Sequence, residues 1–212
     1  MNAVPHGAWP WLAIAGLGVF HGANPAMGWL FAVALGLQRR SRTSVLLSWL
    51  PLTLGHAGGV IITLSAILAL GQALDHATLR GVAALTLLGW ALWHSVRGHR
   101  LNLRIGMQTS LVGLGLWSLL MSTAHGAGLM LVPMLLPVCL PLPFGGPTAS
   151  GSVAIAMAAL GIHTAAMFSV MMVLSVVVYE WIGLAILKSA WINFDMIWIG
   201  ALILCGGLLM LG

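Results

Sequence analysis

Gly18-Val19-Phe20-His21-Gly22-Ala23-Asn24-Pro25 decides the fold, because it sets an ionisable imidazole among small residues in the middle of an apolar run that extends over 9–37. An ionisable side chain at mid-bilayer is costly, roughly 2.5 kcal/mol or more when charged, so such a residue usually faces a bundle interior or a polar cavity. Three more segments repeat the pattern. His125-Gly126-Ala127 restates the His-Gly-Ala step. A second histidine follows 35 and 38 residues after each, in Leu54-Gly55-His56-Ala57 and Leu160-Gly161-Ile162-His163-Thr164-Ala165. The four come as two matched pairs.

Working outward, the chain is apolar almost throughout. Of its 212 residues 60% are hydrophobic and 5% charged, and its mean hydropathy is +1.06. A soluble domain carries about 25% charged residues, so this chain lacks a polar shell to show water. The reading is an all-α polytopic membrane protein. Six apolar segments, 9–37, 44–71, 80–97, 108–138, 151–178 and 194–212, each approach or exceed the roughly 20 residues that span a hydrocarbon core. The first and fourth are long and contain breakers, Pro25 in one and Pro133 and Pro137 in the other. From 178 onward, Tyr179, Glu180, Trp181, Lys188 and Trp191 read as an interfacial connector, with Glu180 and Lys188 as a pair.

A net charge of +5 and a pI near 10.7 would fit nucleic acid in a soluble chain. Here the excess is a topology signal, and no nucleic-acid partner is expected. Arg39, Arg40, Arg42, Arg97, Arg100, Arg104 and Lys188 fall on one side of the segments and only Arg80 on the other. The positive-inside rule makes the first side cytoplasmic and puts both termini outside, in a bacterial inner (plasma) membrane. Trp9 and Trp11 on the outer side, and Trp181 and Trp191 on the inner, suit interfacial belts.

Three spans per half is an odd number, so two related halves, 1–106 and 107–212, would enter the membrane from opposite sides. That predicts two inverted three-helix repeats with a site at mid-membrane between them. Neutral imidazole is the commonest protein ligand of transition metals. Gly22, Gly55, Gly126 and Gly161 beside the histidines, with the Gly18–Gly22 and Gly55–Gly59 spacings, allow close helix approach. The expected site is therefore His21, His56, His125 and His163 converging on a Ni, Co, Cu or Zn class cation. Asn24, with a carbonyl opened by Pro25, and the thioethers of Met27, Met121, Met130 and Met167 are candidates for lining the path.

His6, His76, His94 and His99 read as solvated loop or interface residues. Asp75, Glu180 and Asp195 are the only acids, too few for a carboxylate site or proton relay through the core. Asp195 reads as a helix cap and Asp75-His76 as ordinary loop. Cys139 and Cys205 read as two packed thiols. Nucleotide and hydrolase motifs are absent, which points away from an enzyme.

The resulting function is a carrier that binds a transition-metal ion on four neutral imidazoles and releases it on protonation, so that a proton gradient could drive it. Two alternatives remain open: a bis-His haem b subunit of a redox system, and a non-catalytic scaffold. The lipid bilayer, the metal ion, and either further copies of the chain or a partner membrane subunit are the expected partners.

Gly18–Pro25 followed by Leu54–Ala57 resembles the nickel–cobalt transporter family of the lysine-exporter superfamily, and Ala124-His125-Gly126-Ala127 is similar to a step in hydrogenase and urease accessory membrane proteins. The resemblance implies a six-span metal carrier with His21 and His56 in its site. The chain departs from it at Ala26-Met27-Gly28, where the family carries an acidic residue beside a second histidine, and it has no His-rich loop.

Overall fold

The computed structural model describes residues 8–97, 110–139, 149–182 and 194–211, and every regular element in them is helical. Among the described residues nine α-helices follow in chain order: α1 (Trp9–Ala23), α2 (Trp29–Arg39), α3 (Arg42–Ala73), α4 (His76–Arg97), α5 (Leu111–Ala124), α6 (Ala127–Met130), α7 (Val132–Cys139), α8 (Ala149–Val177) and α9 (Phe194–Leu211). A 3₁₀ turn, Pro25–Met27, joins α1 to α2, and α8 runs on into a π turn, Val178–Ile182. The connector expected from residue 178 is therefore a continuation of α8 as far as its described residues reach. His6, His99, Arg100, Arg104, Lys188 and Trp191 lie outside the described residues.

Two helices are long and apolar enough to cross a bilayer, Arg42–Gly71 and Val153–Trp181. The pair Leu111–Ala124 and Ala127–Leu135, bent by 48°, makes a third if it counts as one span. Met196–Leu211 is apolar but shorter. The remaining expected spans differ from unbroken membrane helices. At 15 residues, α1 reaches only about 22 Å at 1.5 Å per residue, short of a core of about 30 Å. His76, Thr78, Arg80, His94 and Ser95 dilute the apolar character of α4. The outer surface is nonetheless oily, with Leu12, Leu50, Leu54, Leu85, Leu92, Val112 and Leu204 all exposed. Trp9 and Trp181 are exposed as well, whereas Trp11 is partly covered.

Each break has a local cause. Pro25 has no N–H to give the His21 carbonyl, which instead accepts from the Asn24 N–H at 3.1 Å. Asn24, preceding proline, takes an extended ψ of 120°. Its side-chain oxygen accepts from the Ala26 N–H at 3.0 Å. Gly28 then turns the chain into α2 at φ 107°, a conformation that costs a side-chain-bearing residue steric strain. In the second half the bend falls at Gly126, φ 69°, and not at the prolines. Pro133 sits in the first turn of α7, where a missing N–H has no intrahelical partner to lose. Four indoles cap carbonyls at the two breaks: Trp29 on Ala23 and Trp117 on Ala26, both at 3.3 Å, Trp90 on Ala124, and Trp198 on His125 at 3.1 Å. Non-helical backbone in an apolar bundle is tolerable only when its polar groups are re-satisfied in this way.

The most extensive packing pairs α3 with α5, α1 with α8 and α4 with α9, so each pair joins a helix from the first half of the chain to one from the second. Apolar side chains fill the space between them in three clusters. The largest holds Met27, Leu52, Leu114, Met121, Met167 and Met171. A second surrounds Trp198 with Leu87, Met130 and Leu202, and a third holds Ile14, Val60, Leu131 and Leu160.

Candidate functional site

Glycine sets the geometry of the site. A Cβ at Gly18 would strike the His163 carbonyl oxygen and one at Gly22 the Met167 carbonyl oxygen, so α1 lies directly on the backbone of α8. Gly55 and Gly59 bring α3 equally close to Gly115 and Ser122 of α5. This is the close approach expected of small residues spaced four apart. It leaves the larger side chains of these helices to meet in the centre.

Three imidazoles do so. His21 comes from the end of α1, just before the break, while His56 and His163 are each the fifteenth residue of their helices, α3 and α8. All three are buried. The His21 ring centroid lies 4.9 Å from that of His163 and 5.6 Å from that of His56, edge to face in both cases. The His56 and His163 rings stack at 5.6 Å, with their Nε2 atoms 3.4 Å apart.

Backbone carbonyls select the tautomers. His21 Nδ1–H donates to the Leu17 carbonyl at 2.8 Å, and His163 Nδ1–H to the Ile14 carbonyl of α1 at 3.4 Å. Both rings therefore carry their lone pair on Nε2. His56 must then donate its Nε2–H to His163, which leaves the lone pair of His56 on Nδ1. His21 Nε2 and His56 Nδ1 are buried with no hydrogen-bond partner among the described residues. Orphaned polar atoms of this kind are rare in folded proteins. A histidine whose Nδ1–H is fixed on a carbonyl is the usual arrangement of a metal-ligating imidazole.

The fourth predicted residue, His125, is buried and donates Nδ1–H to the Met121 carbonyl at 2.9 Å, as His21 does to Leu17, and the Trp198 indole is in ring contact with both His21 and His125. Trp198 is fully buried, its ring roughly perpendicular to that of His21 at 4.8 Å and to that of His125 at 5.1 Å, with Phe20 stacked on it at 5.3 Å. His94, expected in solvent, is instead buried on α4, 6.1 Å from His125 ring to ring, with Nδ1 donating to the Trp90 carbonyl at 3.0 Å. Neither residue announced itself in the sequence: Trp198 is one of ten tryptophans, and His94 lies three residues from Arg97 at the edge of its segment.

The path candidates serve the fold. Asn24 is buried and spends its side-chain oxygen on the turn. The carbonyls of Ala23, Asn24 and Ala26 around Pro25 all accept hydrogen bonds, so these three do not open toward the histidines. Met27 and Met167 lie in the core cluster with Leu52, and Met130 packs with Trp198. Cys205 is a free, buried thiol in that same cluster. Among the described residues the histidine cluster includes no carboxylate. Asp75 caps α4 through the Thr78 N–H at 2.9 Å and hydroxyl at 2.7 Å, and those two bonds hold its carboxyl below the usual carboxylate range. Glu180 pairs with Arg42 at 3.4 Å, while its expected partner Lys188 lies outside the described residues. Asp195 is the second residue of α9.

Among the described residues, no three His, Cys, Asp or Glu side chains stand in a ready coordination sphere. Within the cluster, the His56 Nε2–H lies between two ring nitrogens that a cation would need to face as lone pairs. Comparison with protein-family models, with characterised proteins and with solved structures finds no match.

Proposed function

We propose that the chain is a membrane carrier, not an enzyme, for a transition-metal cation of the Ni, Co, Cu or Zn class, with His21, His56 and His163 as its binding site. The observation that carries this reading is the meeting of three buried imidazoles from three helices, two of them fixed by carbonyls in the tautomer that turns Nε2 to the centre. Neutral nitrogen donors without a carboxylate suit borderline metals and poorly suit Mg²⁺ or Ca²⁺. Entry of the cation requires rotation of His56 so that its Nδ1 lone pair, and not the Nε2–H it donates to His163, faces the metal. Metal and proton then compete for the same nitrogens, which is the physical basis for proton-coupled release.

The carrier reading includes two inverted halves, 1–106 and 107–212, in a bacterial inner membrane with both termini non-cytoplasmic. Several correspondences support the repeat. Under exchange of His21 with His125 and of His56 with His163, the α1–α8 pair maps onto α5–α3, and α4–α9 onto itself. The close approach of Gly18 to Ala166 maps onto that of Ser122 to Gly59. His21 and His125 both precede a break and both donate to the carbonyl four residues back.

Reconstituted proteoliposomes enclosing a metal-sensitive dye test the function. The wild-type chain should move one or more of Ni²⁺, Co²⁺, Cu⁺ and Zn²⁺ faster than empty liposomes, and His163→Ala should reduce that flux to background while still inserting. Normal flux in the His21→Ala, His56→Ala and His163→Ala variants would refute the assignment.

A further inference from the structure

Four buried side-chain polar atoms have no hydrogen-bond partner among the described residues, and all four lie on the helices that build the histidine cluster. Two are His21 Nε2 and His56 Nδ1. The others are the hydroxyl oxygens of Thr53, on α3, and Thr164, on α8. Ser48, Thr63, Thr86, Thr123 and Ser169 each spend the hydroxyl proton on the carbonyl four residues back in their own helix. Thr53 and Thr164 do not, although a buried hydroxyl left unpaired is costly.

The register of α3 against α8 sets these two threonines opposite each other. The helices run antiparallel: Arg42 meets Glu180, Trp49 meets Phe168 with ring centroids 5.9 Å apart, and His56 meets His163. Residues four apart share a helix face. One turn on from Trp49 is Thr53, and one turn back from Phe168 is Thr164. The next such step reaches Ala57 and Leu160, which pack in one apolar cluster. The Trp49 indole N–H is already given to Ser175 at 2.9 Å. Thr53 also lies three residues before His56, its neighbour along that face. The seam therefore runs from the Arg42–Glu180 ion pair, through Trp49–Phe168, to two facing threonines and then to the histidines.

We infer that Thr53 and Thr164 form a paired-hydroxyl station that binds water in the hydration shell of the transported cation, between the Arg42–Glu180 end of the seam and the histidine cluster. This rests on the carrier reading and adds the step at which the ion trades water for imidazole. A threonine hydroxyl both gives and accepts a hydrogen bond, so two facing ones hold a water whichever way its protons point. Taking a charge out of water is expensive. A hydroxyl pair beside the imidazoles keeps part of the shell hydrogen-bonded until they replace it.

Cobalt(II) flux into proteoliposomes enclosing a metal-sensitive dye, measured beside the cobalt affinity of the same purified full-length proteins, tests the station. Thr53→Val and Thr164→Val keep the side-chain shape and remove the hydroxyl. Each should lower flux about tenfold or more, while cobalt affinity, which reports a folded histidine site, stays within about twofold of wild type. Thr53→Ser and Thr164→Ser keep the hydroxyl, lose the methyl, and should retain most of the flux. Wild-type flux in both valine variants overturns the station and leaves the three-histidine site standing. Lost affinity in the valine variants, or serine variants as slow as the valine ones, also overturns it, since either makes the threonines structural. A wild-type chain that neither binds nor moves cobalt overturns the carrier reading together with this one.

Discussion

Replacing Gly18 by alanine tests whether the contact of α1 with α8 sets the histidine geometry. The added methyl would stand 2.9 Å from the Ala166 Cβ and 3.1 Å from the His163 carbonyl carbon, with the His163 carbonyl oxygen closer still. Carbon atoms prefer about 3.5–4.0 Å, so the helices must part by roughly 0.5–1 Å. Overpacking of this kind costs about 1–3 kcal/mol. Gly16, on the same helix, supplies the control, since its Cβ would meet nothing within 4 Å. Both substitutions gain about 0.8–1 kcal/mol of helix propensity, which cancels in the comparison. Gly18→Ala should therefore melt below Gly16→Ala by roughly 2–12 °C, taking about 2–4 °C per kcal/mol for a chain of this size. Thermal unfolding in one detergent, monitored by circular dichroism, reads the difference. Because the displaced backbone is that of His163, cobalt affinity should fall in Gly18→Ala and hold in Gly16→Ala. Equal melting points and equal affinities would refute the claim that this contact positions the site.

Other consequences are as direct. Ser118 donates from its buried hydroxyl to the Leu52 carbonyl at 2.6 Å, so Ser118→Ala should cost about 0.5–1.5 kcal/mol in denaturant unfolding without altering metal affinity. The Arg42–Glu180 pair is largely exposed, so Arg42→Ala should cost under about 1 kcal/mol, and less at high salt. The Asp75 carboxyl is held low by its bonds to Thr78, so its contribution to the start of α4 is complete above the ordinary carboxylate pKa and is lost as pH falls through the lowered value. Protection of the Thr78 amide, taken relative to its intrinsic exchange rate at each pH, should fall over that range in the wild type and be low at every pH in Asp75→Ala. Metal binding should weaken on acidification, because a protonated imidazole has no lone pair for the metal, measurable as a cobalt(II) affinity at a series of pH values.

Much of this was legible in the sequence, for reasons that can be named residue by residue. His21, His56 and His163 stood out because a polar side chain in an oily segment needs a polar partner, and the three are each other's neighbours. The six-segment count was less secure, since length and hydropathy do not reveal a break such as Asn24–Gly28 in the middle of an apolar run. The second bend was ascribed to Pro133 and Pro137, but it sits at Gly126, and among 27 glycines nothing in the sequence singles out the one with a left-handed φ. Segment boundaries do not fix helix rotation, so the Trp198 indole that touches both His21 and His125 had no sequence signal. The Arg42–Glu180 pair had no sequence signal, because only local neighbours are visible in one dimension and Arg42 reaches Glu180 from the start of α3.

The central claim is that the buried imidazoles bind a metal, and X-ray absorption on the zinc-loaded chain tests it most directly. The account predicts at least three imidazole nitrogens at about 2.0–2.1 Å, the usual Zn–N distance, with the outer-shell scattering of rigid rings and a loss of that shell in His21→Ala. A shell of oxygen alone, or a protein that retains no zinc, would contradict it.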